Sequence, residues 1–279
     1  MIDVRPIGNS WAAEVRGIDL SEPLNDGTIA ALRAAWLAHH VLAFPDQRMN
    51  DDELERFTLC FGPFGEDPFI APIAGREHVI AVERRADETG PVFAEAWHTD
   101  WSFLSTPPAG TCLYGVVIPP IGGDTLFANQ HLALDRMPDG LRQRLEGRRA
   151  VHSARAGYAR DGAYGEADRK TRSMDIRPSD DAMKTHAHPI VRRHPETGRE
   201  GVFGCAGYVI GFEDMDPIES TMLLGELYQH QTKTEFQYRH KWSPGMLVMW
   251  DNRSVLHSAT GGYEGHARRM HRTTIGERG

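Results

Sequence analysis

The sequence predicts a mainly β fold, a sandwich or barrel-like roll with flanking helices. Three observations carry that expectation. From about residue 90 onward, short apolar runs such as TCLYGVVIPP, GGDTLFAN and GMLVMWDNRSVLHSAT alternate with Gly, Pro, Asn and Asp clusters, the texture of short strands joined by turns. Helical patterns interrupt this region at QHLALDRMPDGLRQRLEG and DPIESTMLLGELYQHQT. No internal repeat, low-complexity tract or linker interrupts the chain, so one domain over residues 1–279 is expected.

The elements follow in order. WAAEVRGIDLSEPL reads as a short strand and a turn. NDGTIAALRAAWLAHH starts on an Asn/Asp cap and places Ile29, Leu32, Trp36 and Leu37 at helical spacing. VLAFPDQ is a short buried strand that proline ends, and NDDELERFTLCFG is a second helix, acidic in its first turn with glycine after its last. Residues 64–96 and 155–185 are polar, Gly-rich or aperiodic, and are expected to be long loops or lid insertions. The remaining strands are HPIVRRHPETGREGVF and RRMHRTTIG, with helical patterns at QHLALDRMPDGLRQRLEG and DPIESTMLLGELYQHQT.

Bulk properties narrow the function. At 279 residues, 40% hydrophobic and 25% charged, the chain can bury a full core. A net charge of −8 disfavours a nucleic-acid partner. No apolar run approaches the roughly 20 residues needed to span a bilayer, and MIDVRPIGNSWAAEV lacks a signal-peptide pattern, so a cytoplasmic protein with no membrane partner is expected. Cys60, Cys112 and Cys205 are far apart without CxxC spacing, which speaks against disulfides or a zinc ribbon and for a reduced interior that permits ferrous iron.

The segment AEAWHTDWSF sets His98 and Asp100 two positions apart in an apolar run. On an extended strand both would point to one face and could bind one ion. An imidazole and a carboxylate are two thirds of the 2-His-1-carboxylate set that holds non-haem Fe(II). Alone the pair is a weak signal. LVMWDNRSVLHSA offers His257 as a third ligand, although a single histidine there is as readily a half-buried structural side chain. ARRMHRTTI puts Arg268, Met270, Arg272 and Thr274 on one strand face. If residues 257 and 268 flank a hairpin around GGYEG, they lie opposite each other across the ladder. Two inward arginines need anionic partners.

WHTDWSF, GGDTLFAN, WDNRSVLHSA and RRMHRTTI together resemble the taurine and aryloxyalkanoate dioxygenase (TauD/TfdA) family, with the likeness running from VRGIDLSEPL to the C-terminal strand. The resemblance implies a double-stranded β-helix, or jelly roll, and an Fe(II)- and 2-oxoglutarate-dependent enzyme that consumes O₂ and releases succinate and CO₂. It implies His98, Asp100 and His257 as catalytic iron ligands, Thr125 and Arg268 for the distal carboxylate of 2-oxoglutarate, and Arg272 for the anionic group of the substrate. Family members are commonly dimers or tetramers, and a homo-oligomer is implied. An aspartate at position 100 favours hydroxylation over halogenation.

Where taurine-specific members carry a histidine, a tyrosine and an asparagine, this sequence has Asp67, Ile70 and Ala94, which cannot supply those contacts and argue against taurine. THAHPIVRRHPETGREGVFGCAGY is instead similar to the aryloxyalkanoate and alkyl sulfate branches, with Tyr208 at a substrate-pocket position. Phe69, Ile70, Phe103 and Tyr208 would form an apolar pocket capped by Arg272, suited to a small anion with a hydrophobic body. His186 and His188 repeat the two-residue spacing but lack a partner, so packing is expected there. Trp242 is assigned to the core near the cosubstrate. Two other readings stay open: hydroxylation or desaturation of an amino-acid-like molecule, and a jelly-roll metal protein that is not an oxygenase. The latter has no need of a second anion clamp such as Thr125 with Arg268.

Overall fold

The computed structural model describes residues 2–278. Its main sheet has seven strands, in the order Asp3–Pro6, Ala13–Arg16, Val41–Phe44, Leu247–Asp251, Gly110–Val117, Arg268–Ile275 and Ile80–Arg84. All neighbours are antiparallel except Ala13–Arg16 beside Val41–Phe44. Leu247–Asp251 is buried at every position because both of its faces are covered. Leu247 and Met249 point to the helical side with Leu32, Trp36, Leu54 and Phe57. Val248 and Trp250 point the other way, onto Phe127, Tyr238 and Val255. A strand buried on both faces reads as an unbroken apolar run.

Helices Asp26–His39 and Asp51–Leu59 cover the first face. Asn25 caps one through a 2.9 Å bond from the Thr28 amide, and Asn50 with Glu53 forms a capping box on the other. The opposite face meets a second sheet, Gln237–His240, Thr125–Asn129 and Val255–Ala259. A third sheet, Val209–Phe212, Arg149–Ser153 and Thr185–Pro189, packs under helix Pro217–Gln231 through Leu223 and Leu227. Among the described residues no helix is long and apolar enough to cross a membrane.

Four expectations change. Strand Ile80–Arg84 lies inside the segment read as loop; it is short and half-buried, and exists by pairing with Arg268–Ile275. The helical pattern after Asn129 breaks into Gln130–Asp135 and Asp139–Leu145, with Pro138 at the start of the second, since proline cannot donate within a helix. His98 and Asp100 do not share a strand: His98 makes a single isolated bridge to His257 and Asp100 lies in a turn. Finally, His257 and Arg268 are not opposite each other. Val255–Ala259 pairs with Thr125–Asn129, whereas Arg268–Ile275 pairs with Gly110–Val117 and Ile80–Arg84. The GGYEG segment crosses between facing sheets, a gap of about 10 Å, instead of closing a hairpin.

The segments 64–96 and 155–185 are stitched to each other. The Ala71 amide donates to Asp175 O at 2.9 Å and the Arg177 amide to Phe69 O at 2.8 Å. Arg172 pairs with Asp168 and lies 3.7 Å from Glu88 Oε1, and Glu88 also accepts from the Ser173 hydroxyl.

Burial pushes His40 and His152 down to about 3 and His240 down to about 4. An unfolded histidine titrates near 6.5, so below that pH the unfolded chain takes up protons that the folded chain refuses. Stability is therefore expected to fall as pH drops from 7 to 5, by roughly 1 kcal/mol per pH unit for each of these groups. Thermal melts of the metal-free protein across this interval check it; a flat melting temperature contradicts it.

Candidate active site

The isolated bridge brings the first and third predicted ligands together. The His98 amide donates to His257 O at 3.0 Å, and the His257 amide donates back to His98 O at 2.8 Å. Asp100 Oδ1 then lies 3.7 Å from Nε2 of each imidazole. One donor atom from each residue falls within 4.8 Å of the others, and all three residues are buried. Among the described residues this is the one such cluster of metal-competent side chains. The chain turns sharply after it, with Trp101 in the left-handed region at φ 49°.

Neighbours fix the donor atoms. His98 Nδ1 sits 2.8 Å from Ala96 O, so it carries the proton there and leaves the Nε2 lone pair facing Asp100. Thr111 Oγ1 donates to Asp100 Oδ2 at 2.6 Å, and Asn252 Nδ2 donates to Thr111 Oγ1 at 3.0 Å. Trp250 Nε1 in turn holds Asn252 Oδ1 at 2.9 Å. One carboxylate oxygen is thereby occupied and the other is left for the cluster. Burial, with His98 nearby, lowers His257 to about 3, so its imidazole is neutral at pH 7. For Asp100, burial disfavours the charge, but His257, Arg272 and His98 outweigh it and hold the carboxyl well below its usual range. The Nε2 of His98, the neutral imidazole of His257 and an ionised carboxylate match a ferrous donor set.

Beside the cluster lies a small cavity of about 40 Å³ lined by Thr125, Trp250, His257, Arg268 and Arg272. Arg268 is 6% exposed, and among the described residues no carboxylate lies within ion-pair distance of it. Its Nε is buried without a partner, Nη2 reaches Gly123 O only at 3.4 Å, and its guanidinium stands 6.0 Å from the Trp242 ring. Burial lowers its pKa. A buried cation without a counter-ion is costly, and a ligand carboxylate would relieve it. Thr125 Oγ1 accepts from Trp242 Nε1 at 3.0 Å, which leaves its own proton to donate. Gly122 and Gly123, at φ 64° and 67°, shape the turn that delivers Thr125; a Cβ on Gly122 would collide with the Gly262 backbone. The orphaned cation and free hydroxyl fit the far carboxylate of 2-oxoglutarate.

A larger cavity of about 250 Å³ opens on the other side of His98 and Asp100, walled by Trp101, Tyr158, Tyr164, Tyr208 and Arg272. Tyr208, named from the sequence as a pocket residue, lines this cavity. Phe69, Ile70 and Phe103 are not on this wall: they are buried behind it, packed with Trp101 and Tyr158. Their apolar character suits both positions, which is why periodicity could not separate them. Arg272 is paired with Asp67 and lies 5.1 Å from the Trp101 ring. His188 Nε2 sits 2.9 Å from Leu104 O, a packing role. Sequence reading missed Tyr158 and Tyr164, which line the cavity directly, and Thr111, Asn252 and the pairing of Asp67, which act through partners remote in the chain.

The family model described as taurine catabolism dioxygenase TauD, TfdA family matches residues 3–274. The chain belongs to the TauD/TfdA dioxygenase family. It is 35% identical over 270 residues to an alpha-ketoglutarate-dependent 2,4-dichlorophenoxyacetate dioxygenase from Cupriavidus pinatubonensis, covering 90% of each chain. It is 30% identical over 280 residues to an alpha-ketoglutarate-dependent sulfate ester dioxygenase from Pseudomonas putida, covering 98% of this chain and 89% of the relative. A crystal structure of a taurine dioxygenase from Burkholderia xenovorans superposes with a TM-score of 0.80 at 29% identity, covering 99% and 91% of the two chains. This TauD/TfdA protein is therefore a jelly-roll, Fe(II)- and 2-oxoglutarate-dependent dioxygenase.

Proposed function

We propose that this enzyme hydroxylates a small organic anion of the aryloxyalkanoate, sulfonate or alkyl sulfate type, releasing succinate and CO₂. In this reading His98, Asp100 and His257 hold the iron, Arg268 and Thr125 take the distal carboxylate of 2-oxoglutarate, and Arg272 faces the acidic end of the substrate. Bound iron with 2-oxoglutarate and O₂ supplies the oxidising power for a C–H bond. The chain supplies position. Tyr208, Trp101 and Tyr158 form an aromatic wall beside the metal cluster that would seat an apolar body and exclude water. Hydroxylation of a carbon bearing an ether oxygen, sulfonate or sulfate ester would then lead to cleavage of that bond. The free cysteines Cys60, Cys112 and Cys205 support a reducing, cytoplasmic setting.

The observation that carries this reading is the uncompensated Arg268 beside the triad, a feature a metallohydrolase would not need. Anaerobic addition of Fe(II) and 2-oxoglutarate is expected to give a visible charge-transfer band, and admission of oxygen to release succinate. Arg268→Leu is expected to raise the dissociation constant for 2-oxoglutarate by on the order of 100-fold, the loss of a buried charge contact, with ferrous binding retained. Unchanged 2-oxoglutarate affinity in that variant would remove the cosubstrate assignment.

A further inference from the structure

Arg268 and Arg272 lie on one face of one strand, yet they are charged differently by their surroundings. Among the described residues Arg268 has no carboxylate partner, whereas Arg272 Nη2 is paired with Asp67 and Nη1 stands 3.6 Å from Asp100 Oδ1. Only Nε of Arg272 is buried without a partner. Asp67 is no wandering side chain: Trp101 Nε1 donates to its Oδ1 at 2.8 Å and Thr274 Oγ1 to its Oδ2 at 3.3 Å. Arg272, which lines both cavities, therefore already has a carboxylate partner in Asp67, while Arg268 has none among the described residues.

We propose that Asp67 determines the charge selectivity of the substrate site: by part-neutralising Arg272 it admits monoanions with a bulky apolar body and rejects dianions. This rests on the assignment of Arg272 to the substrate's acidic end. A monoanion can still be drawn to the remaining positive charge of Arg272, which lines the cavity, and its apolar body gains from the wall of Trp101, Tyr158 and Tyr208. A second negative charge would find no further arginine or lysine on the described lining of this cavity, and Asp67 already claims part of the Arg272 charge. The same pairing would disfavour succinate, a dianion, in the substrate cavity. Selectivity of this kind works by a built-in repulsive group as much as by an attractive one.

The test uses the anaerobic complex of the full chain with Fe(II) and 2-oxoglutarate, titrated with phenoxyacetate, its uncharged primary amide and the dianion phenylmalonate. Wild type is expected to bind the acid and not the dianion. Asp67→Asn, which preserves size and the acceptor for Trp101, is expected to bind the acid at least tenfold more tightly and to acquire affinity for phenylmalonate, with the amide unchanged. Succinate should also become a competitive inhibitor against the acid in this variant. Asp67→Ser, with a cooperative melt, must reproduce the order. Weaker binding of the acid, or equal changes for acid and amide, overturns the inference. Probes that follow the predicted charge order yet stimulate no succinate release sink the proposed substrate class alone and leave Asp67 with its role.

Discussion

Replacing His257 with alanine is expected to abolish ferrous binding and, with it, oxygen-dependent succinate release. The residue supplies one of three donors in a cluster that, among the described residues, has no fourth metal-competent side chain, and two ligands cannot hold a labile divalent ion well. The loss should be one of function and not of folding. His257 Nδ1 is buried without a hydrogen-bond partner, so truncation removes an unsatisfied polar group, and the bridge to His98 uses backbone atoms that alanine retains. Thr111→Val provides a graded comparison, because it removes only the donor that holds Asp100 Oδ2. Loss of such an outer partner typically weakens metal binding by roughly 10–100-fold. Metal titrations of the two variants alongside thermal melts check both statements. A His257→Ala protein that binds Fe(II) as wild type does would end the triad assignment.

Asp251→Ala is expected to cost about 3–5 kcal/mol of stability, the usual result of removing one partner from a buried charge pair. Asp251 is fully buried at the end of Leu247–Asp251. Its oxygens accept from Arg253 Nε at 2.9 Å and Nη2 at 2.8 Å, from the Arg253 amide at 2.9 Å, and lie 3.0 Å from His194 Nε2. Burial opposes its ionisation, but Arg253 and His194 overcome that and hold its pKa far below normal. Without it Arg253 keeps Glu196 at 2.8 Å and Glu277 at 3.6 Å, so the charge is left only partly answered. This turn also presents Asn252 to Thr111 and leads into the strand of His257. Metal affinity should therefore fall with stability. A drop in melting temperature on the order of 10 °C, read by calorimetry, is the expected signal; a loss under about 1 kcal/mol would show that the cluster is dispensable.

Much of the fold was legible because the signals were local. The caps at Asn25 and Asn50, the apolar runs Val41–Phe44 and Leu247–Asp251, and the turn glycines each act within a few residues, where propensity and periodicity operate. Ile80–Arg84 escaped notice because it is a five-residue edge strand inside a polar segment, although Ile80 and Val82 are themselves β-branched. The hairpin expected between His257 and Arg268 failed for a related reason: a glycine-rich turn looks the same whether it returns to its own sheet or crosses to the facing one.

The chain's own residues were enough to nominate the donors, since His98, Asp100, His257, Thr125, Arg268 and Arg272 are chemically distinctive wherever they lie. How those groups are charged and paired was a matter of three-dimensional packing. Arg268 and Arg272 are the same residue type four positions apart, and nothing in RRMHRTTI tells them apart. One is left as an unanswered cation and the other is matched by Asp67, because electrostatics depends on distance through space and on burial, neither of which is encoded by separation along the chain.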